Sequence, residues 1–171
     1  MSQPEVWLRG PLADVEPMLM PAAHALMQAA EDLERVASDL TPKELWVRPG
    51  GAASLGFHLR HIAGSTDRLL TYARGDRLSE AQRQAVAMEQ HPGDPPADAA
   101  TLVREARAAI GSALDAIQAA PKASQYDARA IGRAALPTTV FGLLCHIAEH
   151  TQRHTGQVIT TVKIVRGLGL G

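Results

Sequence analysis

The sequence predicts an all-α protein, a four-helix bundle with a long connection between its second and third helices. Three observations predict it. Four segments of core-helix length carry apolar residues at helical spacing, proline- and glycine-rich stretches separate them, and nothing in the chain resembles a sheet. Helices with apolar stripes must bury them against one another, and four such helices make a bundle the simplest architecture.

The first helix is expected over about residues 17–39, where MLMPAAHALMQAAEDLERVASDL places Leu19, Leu26, Leu33 and Leu40 on one slowly drifting face. Pro21 is tolerable in its first turn. The segment TPKELWVRPGGAAS reads as irregular, punctuated by Pro42, Pro49, Gly50 and Gly51, with Trp46 anchoring it by burying its ring. The second helix starts with Ser54 as N-cap and stops at Gly75; positions 55, 58, 62, 65, 69 and 72 form its inward stripe. A short helix, SEAQRQAVAMEQ, lies inside the long connection of residues 76–97, which leaves room for a crossover. The third helix is expected over 98–119, with Leu102, Ile110, Leu114 and Ile117 as core residues. PKASQYDARAIGRAALP reads as a second irregular connection, and the fourth helix runs from Thr138 or Thr139 to Arg166.

The 171 residues suit one domain spanning 1–171, and 46% hydrophobic with 20% charged residues argues against disorder. Seventeen basic and 18 acidic side chains leave a formal charge of -1, so no global field draws in nucleic acid or an anionic membrane. The arginines, Arg104, Arg107, Arg129 and Arg133 among them, are interspersed with acids and alanines without a nucleic-acid docking motif. One cysteine, Cys145, excludes an intramolecular disulfide and any multi-cysteine metal cluster. MSQPEVWLRGPLADVEP does not read as a signal peptide, and no apolar run reaches membrane-spanning length. A cytoplasmic protein is the expectation.

The chemistry lies in the histidines. HIAEHTQRHTGQVI spaces His146, His150 and His154 four apart, so successive rings are offset by about 40° around a helix and share one side. His150 and His154 can therefore aim at one point, and FHLRHIAG on the second helix offers His58 or His61 as a third donor. Three imidazoles suit zinc, nickel, cobalt or ferrous iron and leave a position open for water or substrate. Haem between histidines of separate helices stays open, although no attachment signature is present. The zincin pattern is absent, because Glu149 precedes His150 and points about 100° away; no Glu-x-x-His of the di-iron type occurs. Cys145 falls about 140° from His150, a packing rather than a ligand position. A lone histidine in an amphipathic helix is commonly a hydrogen-bonded packing residue. Four in two helices shift the balance, since each buried ring must satisfy a donor and an acceptor.

ASLGFHLRHIAGSTDRLLTYARG, followed much later by LLCHIAEHTQRHTGQVI, resembles the DinB/YfiT superfamily of small bacterial helical-bundle proteins. The resemblance implies a divalent metal, zinc or nickel, held by His61, His150 and His154, with His58 and His146 as accessory pocket residues. It implies a metal-dependent enzyme acting on a small-molecule substrate, most like a thiol-S-transferase using glutathione, bacillithiol or mycothiol, with isomerases and hydrolases also represented. A homodimer belongs to the same expectation. Arg68, seven residues after His61, could meet an anionic group of the thiol cofactor, with a surface salt bridge as its alternative. Of the remaining histidines, His24 could face the cavity and His91 sits in an exposed loop; Gln157 could bond a histidine, and Gly156 would permit close helix approach. The competing function is a non-catalytic metal-binding or stress-associated module that binds a small ligand.

Overall fold

A computed structural model describes residues 3–171. Four long helices carry most of it: α1 (Met20–Ala37), α3 (Leu55–Ala73), α5 (Ala99–Ala119) and α6 (Val140–Gly167). Two short helices, α2 (Pro42–Trp46) and α4 (Glu80–Met88), a hairpin of β1 (Ala128–Ile131) and β2 (Leu136–Thr139), and three single 3-10 turns (Val6–Leu8, Pro49–Gly51 and Lys122–Ser124) make up the rest of the regular structure of the described residues.

The long helices form where periodicity places them, and side-chain caps set most of their starts. Leu19, Leu26 and Leu33 are fully buried and Leu40 nearly so. Residues 17–19 form a turn, so α1 starts at Met20 and Pro21 occupies a position whose N–H has no intrahelical partner anyway. Ser54 Oγ accepts from the Phe57 N–H at 3.2 Å, Asp98 Oδ1 from Thr101 at 2.7 Å and Thr139 Oγ1 from Gly142 at 3.0 Å, opening α3, α5 and α6 in turn.

Helices α1 and α3 each pack against both α5 and α6 but scarcely touch one another, so they lie across a diagonal. The chain therefore crosses the core twice, through residues 38–54 and 120–139, while the long connection 74–98 joins the neighbours α3 and α5. This corrects the crossover expected there. The reason is local: α4 folds back along α3, where Gln82 Nε2 donates to Asp67 Oδ2 at 2.7 Å and Thr71 Oγ1 at 2.8 Å. Arg60 donates to the Met88 and Pro92 carbonyls at 3.2 and 2.9 Å from the other end.

Two segments read as irregular are ordered elements. Thr41 and Glu44 close a reciprocal capping box, at 3.2 and 2.8 Å, that starts α2 despite its single-turn length. The second contains the antiparallel β1–β2 hairpin, with Ala128 opposite Thr139 and Ile131 opposite Leu136. Gly132 adopts φ +69°, a conformation that suits glycine, and opens the hairpin turn. Trp46 does anchor its segment: its Nε1 donates to the Ala97 carbonyl at 3.4 Å, and the Arg60 guanidinium lies 5.0 Å above its ring. No helix of the described residues is long and apolar enough to cross a membrane.

Candidate metal centre

Packing of α3 against α6 brings the two histidine segments together. Leu55, Leu59 and Ile62 are fully buried and Ile147 and Ala148 nearly so, which fixes the facing sides of the two helices and turns the histidines toward each other. The rings of His150 and His154 lie 4.5 Å apart between centroids, and His61 approaches them at 5.0 and 4.6 Å. One nitrogen of each of His61, His150 and His154 falls within 4.8 Å of the others. His61 Nε2 and His150 Nε2 are 3.3 Å apart. Tetrahedral zinc with bonds of about 2.0–2.1 Å would hold two nitrogens about 3.3–3.4 Å apart, so the pair needs little movement to share a cation.

Each of the three rings engages its Nδ1 elsewhere. His61 Nδ1 donates to Glu89 Oε2 at 2.7 Å, His150 Nδ1 lies 3.4 Å from Ser65 Oγ, and His154 Nδ1 lies 2.9 Å from Nδ1 of the buried His58. That leaves Nε2 of each ring for the centre, the division of labour that orients metal-ligating histidines. Phe57 stacks on His61, with ring centroids 5.2 Å apart and planes 16° from parallel. Three histidines can thus hold a metal ion here.

The electrostatics favour neutral ligands. Burial, followed by the adjacent His61 ring, lowers the pKa of His150 to about 4 and that of His154 to about 3. His58 is lowered for the same two reasons. Burial raises the Glu89 carboxyl, but hydrogen bonds from His61 and Arg68 together outweigh it and hold the group below its ordinary value, as an ionised acceptor.

The other sequence-derived positions divide sharply. His146 is exposed on the rim, its ring 5.6 Å from that of His150 and its Nδ1 3.2 Å from Glu149 Oε2. Arg68 forms the salt bridge that was its alternative reading, but with a partly buried side chain: Nη1 donates to Glu89 Oε1 at 2.7 Å. His24 pairs with the Gly10 carbonyl at 3.0 Å, outside the cluster, and His91 is exposed. Gly156 and Gln157 are both exposed, and a Cβ at Gly156 would meet nothing within 4 Å, so close helix approach is not its role. Glu149 is exposed and paired with Arg153. Cys145 is half-buried against the core, and burial pushes its thiol pKa up. Glu89 and Ser65 are the polar partners that the sequence did not assign to the histidines. Ser65 lay on the inward stripe of α3 and could have been noticed one turn beyond His61; nothing in the polar run MEQHPGDPP marks Glu89.

A search of curated proteins finds no match. Residues 25–158, from α1 well into α6 and including every member of the histidine cluster, match the family model of the DinB superfamily. With most of its length and its histidine-bearing helices inside that match, the chain belongs to the DinB superfamily.

Proposed function

We propose that His61, His150 and His154 hold one divalent metal ion, zinc or nickel, and that the protein is a metal-dependent enzyme for small molecules, closest in kind to the thiol-S-transferases. The observation that carries this reading is the convergence of three imidazoles whose Nδ1 atoms are already engaged, leaving three Nε2 donors for one cation. Only neutral imidazole binds metal, and burial keeps His150 and His154 neutral well below neutral pH. Three protein ligands leave a coordination position open, as catalytic rather than structural zinc sites do. A divalent cation there supplies Lewis acidity, which lowers the pKa of a thiol or water at the open position.

The surrounding side chains would bind and orient. The His61 side chain keeps 22% of its surface exposed, so the centre is within reach of a solute. In this reading the exposed His146 would touch a low-molecular-weight thiol cofactor, whereas His58 and Arg68, paired with His154 and Glu89, would act from behind the ligands. The raised thiol pKa of Cys145 leaves it a poor nucleophile, so the sulfur is the cofactor's. The bundle expected of four long helices gives both ligand-bearing helices a common support. A homodimer is part of the same reading, and a monomeric mass across a broad concentration range in light scattering would remove that part.

A non-catalytic reading draws on a separate groove of about 510 Å³, lined by Trp7, Met20, Pro21, His24, Gln28 and Gln152, which suits a small apolar ligand. The two readings separate in one experiment. Tag-free protein and its triple alanine variant at positions 61, 150 and 154 are assayed for bound metal. The protein is then loaded with zinc, nickel, manganese or iron and screened with glutathione, bacillithiol, mycothiol and coenzyme A against several electrophiles. Metal in the parent alone, with turnover above His61→Ala, is the expected result; equal, negligible metal in both removes the site, and bound metal without turnover favours the binding module.

A further inference from the structure

We infer that Glu89 is the positioning residue of the metal centre: its carboxylate, braced by Arg68 and seated against Gly64, holds the His61 ring with the proton on Nδ1 and the Nε2 lone pair toward His150 and His154. The purpose assigned to this clamp rests on the metal reading above, whereas the clamp itself rests on geometry.

Between residues 72 and 98, Glu89 alone is buried, at 5% exposure, and α4, which delivers it, buries none of its own residues. A carboxylate goes into such a place only when its charge is answered. Both oxygens are answered separately, Oε1 by Arg68 Nη1 and Oε2 by His61 Nδ1, each at 2.7 Å. Docking of α4 does not explain this, since Gln82 and Arg60 already tie the connection to α3 at both ends. Nor does charge balance, since Arg68 alone would supply it.

The seat is shaped for the carboxylate. Gly64 sits inside α3, where glycine is a poor helix former, yet a Cβ there would lie 2.5 Å from Glu89 Oε1 and 2.8 Å from Arg68 Nη1. The missing side chain is the space that the ion pair fills. Neutral imidazole carries one proton, and an anionic acceptor at Nδ1 keeps it there; without that acceptor the proton is free to occupy Nε2 and block coordination through it.

The test uses the full chain with Glu89→Gln and Gly64→Ala. Glutamine replaces one of the two carboxylate oxygens by an amide NH2, so in the seat as it stands either His61 Nδ1 or Arg68 Nη1 loses its acceptor. Zinc affinity by competition with a chromophoric chelator is expected to fall about 10–100-fold in Glu89→Gln and in the same direction in Gly64→Ala. Nitrogen-15 NMR of the metal-free protein should show His61 protonated on Nδ1 in the parent and redistributed toward Nε2 in both variants. Wild-type affinity together with an unchanged His61 tautomer in Glu89→Gln overturns the inference while leaving the metal site standing. Absence of zinc binding by the parent removes the metal reading, and the tautomer comparison then still decides the clamp. Should Glu89→Gln lose its helical circular dichroism, Gly64→Ala carries the test: it adds one methyl group and keeps both charges, and an unchanged tautomer and affinity in it overturn the inference.

Discussion

His58 Nδ1 lies 2.9 Å from His154 Nδ1, across the interface of α3 and α6. One of the two nitrogens must carry the proton between them, and coordination through His154 Nε2 requires that it be His154. His58 then accepts at Nδ1 and holds its own proton on Nε2. Replacing His58 by phenylalanine keeps a ring in the buried position and removes the acceptor, so zinc affinity is expected to fall about tenfold in a chelator competition. Unchanged affinity would leave the His58 contact as packing alone.

Metal-free protein should lose stability on mild acidification. An unfolded histidine takes up a proton near its ordinary pKa of about 6.5, whereas folded His150 and His154 resist until about pH 4 and 3. Between those limits the unfolded chain binds more protons, so the stability contributed by the two rings is complete above about pH 6.5 and is lost as pH falls through 4 toward 3. The thermal midpoint followed from pH 7.5 to 4.5 should drop more steeply in the parent than in His150→Ala/His154→Ala. Parallel curves would show that the two rings do not govern the acid response.

Gly56 faces Trp46 so closely that an added Cβ would stand 2.6 Å from two ring carbons. Gly56→Ala must push the indole off α3 and away from its Ala97 contact, an overpacking expected to cost about 1–3 kcal/mol in urea denaturation despite the better helix former. A stability equal to the parent's would mean that the ring relocates freely.

Cys145→Ala should leave zinc affinity unchanged and, in the thiol-transferase reading, leave transfer from an added thiol unchanged as well. The side chain is half-buried, its thiol is held protonated by burial, and the proposed sulfur is supplied in solution. Loss of turnover in this variant, with the fold intact, would place the nucleophile on the protein.

Helical periodicity is a local property, and what depends on it was legible in the residues. Leu26 and Leu33 become core because seven residues are close to two turns of α1, and His150 and His154 share a side because four residues overshoot one turn by only about 40°. The cap Ser54 is a local signal as well; the Asp98 cap and the Thr41–Glu44 box are equally local but did not enter the sequence reading. The hairpin left little trace because its short strands bury no residue fully and show no apolar alternation.

Spatial partnership between distant segments was decided only by the tertiary structure. His58 and His61 lie within one turn of α3, and periodicity alone does not say which meets His150; packing sends His61 to the cluster and His58 behind His154. Glu89 is 28 residues from His61, on a connection whose sequence reads as solvated, and it becomes the carboxylate behind the ring only because α4 folds back along α3. Arg68 was visible on the right helix face, with a thiol cofactor or a surface salt bridge as its two readings, but its partner was not visible: the salt bridge is made to the buried Glu89. A single chain encodes which side a residue faces through the fixed advance of about 100° per residue. It encodes what waits on that side only through the summed packing of every helix, and the residues that orient the ligands belong to that second kind of information.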